Sequence, residues 1–293
     1  MTAPARSTTH VVTDRSRPPR VKWLLLAVVA VVLLVAAVTA VRASAPPHLS
    51  PGPASAGTQP LIVGDDRTVT LISLGGPDTD VVLTRVAGDI GAAVTAVEDF
   101  WGTDWTHDIL VVATGSDAQF TAQAGDAARR FDTAAVAAAD RVDPASRTVS
   151  GQRVVLAPGA AAMSAEALRI VLGHELFHYA SRADTAVDAP RWLTEGVADY
   201  VGRPAPVRPV ALKLTALPSD DDFTGSPAEL SAAYDRAWLF AQFVADRYGP
   251  QALRRLYLRA CGAGHVGVPT ALREVLGVGP DAVLAQWRQW ARR

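Results

Sequence analysis

Three features of the 293-residue sequence predict an α+β domain behind one N-terminal transmembrane helix. Trp23 to Val41 carries no charge, and short β-like runs alternate with helical segments over residues 61–162. From residue 163 onward the apolar positions recur at helical spacing. Strands first and helices afterwards is the order expected of an α+β fold. An apolar content of 49% is ample for a core, and with 6% aromatic residues that core must be mostly aliphatic.

The chain opens with a basic tail, residues 1–22, where Arg6, Arg15, Arg17, Arg20 and Lys22 face Asp14 alone. A helix over residues 23–41 spans about 28 Å, close to the hydrocarbon thickness of a bilayer. Basic residues precede this span and only Arg42 follows closely, so the amino terminus should stay cytoplasmic and the remainder should lie outside the cell membrane. A cleaved signal peptide is the competing reading, since Ala43-Ser44-Ala45 has the small-x-small form. Against cleavage, the apolar run exceeds a usual signal core and Pro46 would follow the cut. Residues 42–60 hold five prolines and read as a semi-extended linker. Beyond Val41, 23 basic residues face 28 acidic ones, a net charge of −5 that gives no reason to expect nucleic acid. Cys261 is the only cysteine, so no internal disulfide exists.

In the mixed part, Thr68–Ser73 and Val81–Thr84 read as strands around a Gly75-Gly76-Pro77-Asp78 turn. Val86, Ile90, Val94, Val97 and Trp101 then mark a helix ending at Gly102. Ile109–Ala113 is a short buried strand, followed by a helix from Ser116 to Ala128. Thr133–Ala139 and Gln152–Ala157 read as strands joined through Asp143-Pro144. In the helical part, Ser164 is an N-cap, and Leu168, Val171, Leu172, Leu176 and Tyr179 form an apolar face. Asp188 and Pro190 should start a second helix that ends at Gly202. Asp220-Asp221-Asp222 lacks the alternate spacing of a calcium loop and reads as a solvated turn. Ser226 or Ser231 caps the next helix, which carries Tyr234, Trp238, Phe240 and Phe243; further helices span Gln251–Ala260 and about 280–293.

The chemistry concentrates in Ser164 to Gly202. His174-Glu175-Leu176-Phe177-His178 reads H-E-x-x-H. On a helix, residues four apart share a face, so His174 and His178 can offer imidazole nitrogens to one metal ion. Glu175 lies beside them, placed as a base acting on water at the metal. Catalytic zinc sites usually take three protein ligands. Glu195, seventeen residues beyond His178 and early in the second helix, supplies the third. Asp199 follows one turn later and can accept the free N–H of a ligand histidine.

H-E-L-F-H followed by W-L-T-E-G-V-A-D-Y resembles the gluzincin zinc metallopeptidases, the group of thermolysin and aminopeptidase N, and in particular the peptidase MA-like domains of bacterial membrane proteins. Trp192-Leu193-x-Glu195-Gly196 is similar to the aminopeptidase N branch, and Glu195-x-x-x-Asp199 to the thermolysin branch. The interval between His178 and Glu195 is a few residues shorter than in either, so neither substrate preference carries over. The resemblance implies a zincin-like domain over residues 61–293, Zn2+ as cofactor, and a peptide or protein substrate. By the same resemblance Arg153–Leu156 corresponds to the edge strand that holds an extended substrate, with an ordinary sheet strand as the alternative. It also implies a tyrosine or histidine donor to the developing oxyanion from the later helices. Tyr234 is the first choice for it and Tyr200 the second; the remaining candidate, His265, lies in a glycine-rich loop and reads as an exposed residue. A metal-binding but proteolytically inert envelope sensor or scaffold is the alternative, against which the intact Glu175 argues. The polar surroundings Glu166 and Arg169 exclude an intramembrane protease.

Overall fold

The computed structural model describes residues 60–75, 77–125, 133–204 and 214–292. The basic tail, the expected membrane anchor and the linker up to residue 59 lie outside these. Among the described residues no helix is long and apolar enough to cross a membrane. Those residues form a mixed α/β fold with eight α-helices and a mixed five-stranded sheet.

Branched and small residues at alternate positions make the strands β1 (Leu61–Val63), β2 (Arg67–Ser73), β3 (Asp108–Ala113), β4 (Ala135–Ala138) and β7 (Arg153–Leu156). Their order is β1-β2-β3-β7-β4, with β2, β3 and β7 parallel and the two outer strands antiparallel. A separate hairpin, β5 (Arg141–Asp143) with β6 (Thr148–Ser150), links β4 to β7 around Asp143-Pro144. Ile109, Val111, Ala135, Val154 and Leu156 point into the main core. Val136, Ala138 and Val155 point the other way, into a small cluster with Phe120 and Ala124 of α2 (Asp117–Ala124). This is the period of two that a sheet covered on both faces requires.

The residues expected as a strand at Val81–Thr84 are the first turns of α1 (Pro77–Trp101). β-branched propensity there yields to burial, because Val82 continues the Val86, Ile90, Val94 stripe at steps of four and is itself 3% exposed. α2 ends at Ala124, shorter than expected. The chain then builds α3 (Ala165–Ser181), α4 (Arg191–Gly202), α5 (Pro227–Tyr248), α6 (Pro250–Cys261), α7 (Val268–Leu276) and α8 (Pro280–Trp290). Sequence periodicity did not anticipate α7, which is short and amphipathic. Ser164 caps α3 by accepting the Ala167 N–H, and Ser226, not Ser231, forms a capping box with Glu229 at the start of α5.

Two expectations about local structure are corrected. The start of α4 is not capped by Asp188: its N-cap is Pro190, and Asp220 Oδ1 accepts the Trp192 N–H at 2.8 Å from across the fold. The acidic cluster is therefore no mere solvated turn. Asp220 serves a helix N-terminus, where its charge meets the positive end of the dipole. The second correction concerns the sheet edge. β7 is flanked on both sides, by β3 and β4, so Arg153–Leu156 is an inner strand and β4 is the edge.

Candidate metal centre

α3 runs beneath the edge strand with Leu168, Leu172, Leu176 and Phe177 buried in the core. That packing fixes the rotation of the helix and turns His174 and His178 toward α4. α4 approaches closely because two contacts have no room for a side chain. A Cβ on Gly202 would lie 2.7 Å from His174 N, and one on Gly196 would lie 2.6 Å from the Ala237 carbonyl oxygen on α5. Gly202 thus lets α4 lie against α3, beyond ending its own helix.

The three expected ligands come together. His174 Nε2 is 3.1 Å from His178 Nε2 and 3.2 Å from Glu195 Oε2, and His178 Nε2 is 3.5 Å from the same carboxylate oxygen. Ligand atoms about 2.0–2.1 Å from a shared tetrahedral zinc stand roughly 3.3 Å apart. The triangle therefore has the size that zinc requires. His174 Nδ1 lies 2.9 Å from Asp199 Oδ1. A carboxylate only accepts, so the ring proton belongs on Nδ1 and Nε2 turns its lone pair into the triangle.

The charges agree with a cation at this place. Burial alone would lower the His174 pKa, but the hydrogen bonds to Asp199 and Glu195 reverse this and hold it well above the usual histidine range. Burial alone would raise that of Glu195, yet His178 and His174 hold it well below the usual carboxylate range. Three donor atoms converge where two carboxylates, Asp199 and Glu195, already favour positive charge on His174.

Glu175 is 7% exposed, and its Oε2 accepts the Ala137 N–H at 2.6 Å. Burial raises its pKa, opposed by the positive field of His174 and His178. Arg182, the C-cap residue of α3, donates from Nη2 to the Ala137 carbonyl at 2.5 Å. The Tyr234 hydroxyl accepts from Arg191 Nη2 at 3.3 Å, and its ring meets Phe223 edge-on at 4.9 Å. Burial, followed by the charge of Glu195, raises the Tyr234 pKa strongly, so the phenol keeps its proton. The other two donor candidates are engaged elsewhere: Tyr200 packs edge-on against Phe100 at 5.3 Å, and His265 Nε2 meets Asp188 at 3.3 Å.

Sequence reasoning missed Arg182, Arg191 and Arg203, which surround the centre. Arg203 was the findable one, standing four residues after Asp199 on the same helix face. Compared with protein-family models, with curated proteins and with solved structures, the chain finds no match in any of the three.

Proposed function

We propose that this chain is a zinc-dependent peptidase with a zincin-like catalytic fold, anchored in the cell membrane through residues 23–41 and acting outside the cytoplasm. The observation that carries the reading is the triangle of His174, His178 and Glu195 donor atoms, with Glu175 immediately beside it. Zinc in such a centre supplies a Lewis acid and lowers the pKa of water to about 7. Glu175 takes the proton from the attacking water and later returns it to the leaving amine. Tyr234, protonated and raised further from ionisation by Glu195, donates to the carbonyl oxygen as negative charge builds there. Asp199 keeps the His174 ring in the tautomer that leaves Nε2 open.

The edge strand β4 is buried and faces α3. Ala134 and Ala157 form a bonded pair, so the alternation of an antiparallel ladder turns the N–H and C=O of Ala135 and Ala137 away from β7. Glu175 and Arg182 hold both groups of Ala137 and Thr133 Oγ1 donates to the Ala135 carbonyl, so the protein's own groups occupy this side of the strand. The anchor rests on the charge-free run behind a basic tail. The test is metal analysis of the purified full-length chain together with digestion of a peptide library. About one zinc per chain and cleavage abolished by Glu175→Gln are expected. A zinc-loaded chain that cleaves no peptide would sink the proposal and leave the inert binding domain.

A further inference from the structure

We infer that Arg203 is a positioning residue of this metal centre, acting through Asp199 and tying the ligand set to the helix that carries Tyr234. The inference rests on the zinc reading above. Arg203 is the C-cap of α4, and its backbone N–H bonds the Asp199 carbonyl at 2.9 Å. Its side chain then returns to the same residue, with Nη2 2.8 Å from Asp199 Oδ2. The two carboxylate oxygens of Asp199 are thereby divided: Oδ1 faces His174 Nδ1 and Oδ2 faces the guanidinium.

That division bears on the metal. A carboxylate held by one oxygen swings about its terminal torsion, whose wells are broad. Held by both, it fixes the direction from which it receives the imidazole N–H, and so the direction in which Nε2 points. The Asp199 side chain is 5% exposed and that of Arg203 15%, so water neither replaces the arginine nor screens it well. The other arm of the fork, Nη1, donates to Asp235 Oδ1 at 2.8 Å, and the guanidinium lies over the Trp238 ring at 5.0 Å. Asp235 follows Tyr234 on α5. A chain of contacts therefore runs from α5 through Arg203 and Asp199 to a metal ligand. A lysine cannot reproduce it, because a single ammonium lacks the planar fork that meets two carboxylates at once.

A simple staple between α4 and α5 needs only Arg203 and Asp235. Positioning predicts instead that the arginine works through Asp199, which a double-mutant cycle on zinc affinity reads directly. Zinc dissociation constants of the full-length chain would be measured by chelator competition for wild type, Arg203→Met, Asp199→Asn and the double variant, with thermal midpoints of the metal-free forms. Arg203→Met should weaken zinc by about 10-fold, the lower end of the range for groups that orient ligands. In the Asp199→Asn background the same change should weaken it no further. An unchanged affinity in Arg203→Met, or effects that add in full, would overturn the inference. If Arg203→Met does not fold, Asp235→Asn replaces it: it should weaken zinc in the wild-type background only, and no weakening overturns the inference equally. A wild-type chain that takes up no zinc refutes the proposed function itself, before any variant is compared.

Discussion

Glu175 Oε2 accepts the backbone N–H of Ala137 at 2.6 Å, fastening the metal helix to the edge of the sheet. The same alanine gives its carbonyl to Arg182, the C-cap residue of α3, at 2.5 Å. Helix and strand are thus locked in register beside the metal triangle, and Glu175 and the edge strand are positioned by one contact.

That contact separates two substitutions. Glu175→Gln keeps an oxygen for the Ala137 N–H and loses only basicity. Zinc content and thermal midpoint should stay near wild type, while peptide turnover falls by at least about 100-fold. Glu175→Ala also leaves a buried N–H without its partner, which costs about 1–3 kcal/mol. Thermal unfolding should therefore rank the alanine variant well below the glutamine one. Equal stability of the two would show that the Ala137 bond does not hold the strand.

The site was legible because its information is local. His174, Glu175 and His178 are fixed by helical spacing, and Asp199 by one turn from Glu195. What the sequence hid is carried by distant partners. The cap of α4 comes from Asp220, 28 residues beyond the Trp192 N–H it receives. The edge strand was misplaced because β7 inserts between β3 and β4, out of sequence order. Val81–Thr84 has the composition of a strand, but its helical state follows from the face that α1 buries. Arg203 stood at a readable spacing from Asp199, yet its place between Gly202 and Pro204 marked it only as a helix end.

The glycines that bring α3, α4 and α5 together should be intolerant of a methyl group. Alanine in place of Gly196 gains up to about 1 kcal/mol of helix propensity. Its Cβ would meet the Ala237 carbonyl oxygen at 2.6 Å, where backbone and not a flexible side chain must give way. Overpacking of this kind costs about 1–3 kcal/mol, so destabilisation wins. Gly202→Ala, at 2.7 Å from His174 N, should gain less propensity at a helix end and strain the ligand helix directly. Both variants should melt a few degrees below wild type and bind zinc more weakly. Full zinc affinity in Gly202→Ala would mean that the spacing of α3 and α4 does not set the ligand geometry.

Asp199→Asn should keep the fold and loosen the metal. The asparagine still fits and still offers an oxygen to His174 Nδ1, but without the charge that favours the N–H there. Zinc affinity should fall by about 10- to 100-fold, in contrast to Glu175→Gln, where it stays. Chelator competition on the two variants side by side distinguishes an orienting residue from a base. If both lose zinc alike, the division of roles is wrong.

Proton and zinc compete for the same nitrogen, and the structure fixes the sign of that competition. In the metal-free chain burial disfavours charge on His174, but Asp199 and Glu195 outweigh it and keep the imidazolium populated above the usual value of 6.5. Zinc requires the neutral ring, so below this raised pKa each ion taken up must expel a proton. Apparent affinity should therefore rise with pH, by about tenfold per unit while His174 is protonated, and level off above its folded pKa. Because that pKa lies above the ordinary one, the rise should persist through neutral pH instead of ending near 6.5. In Asp199→Asn the proton loses its partner, so the plateau should begin at lower pH. Zinc titrations in weakly buffered solution, reading proton release alongside the dissociation constant, measure both. An affinity that is flat across neutral pH, with no proton released, would show that His174 is already neutral in the metal-free chain and that Asp199 does not hold it charged.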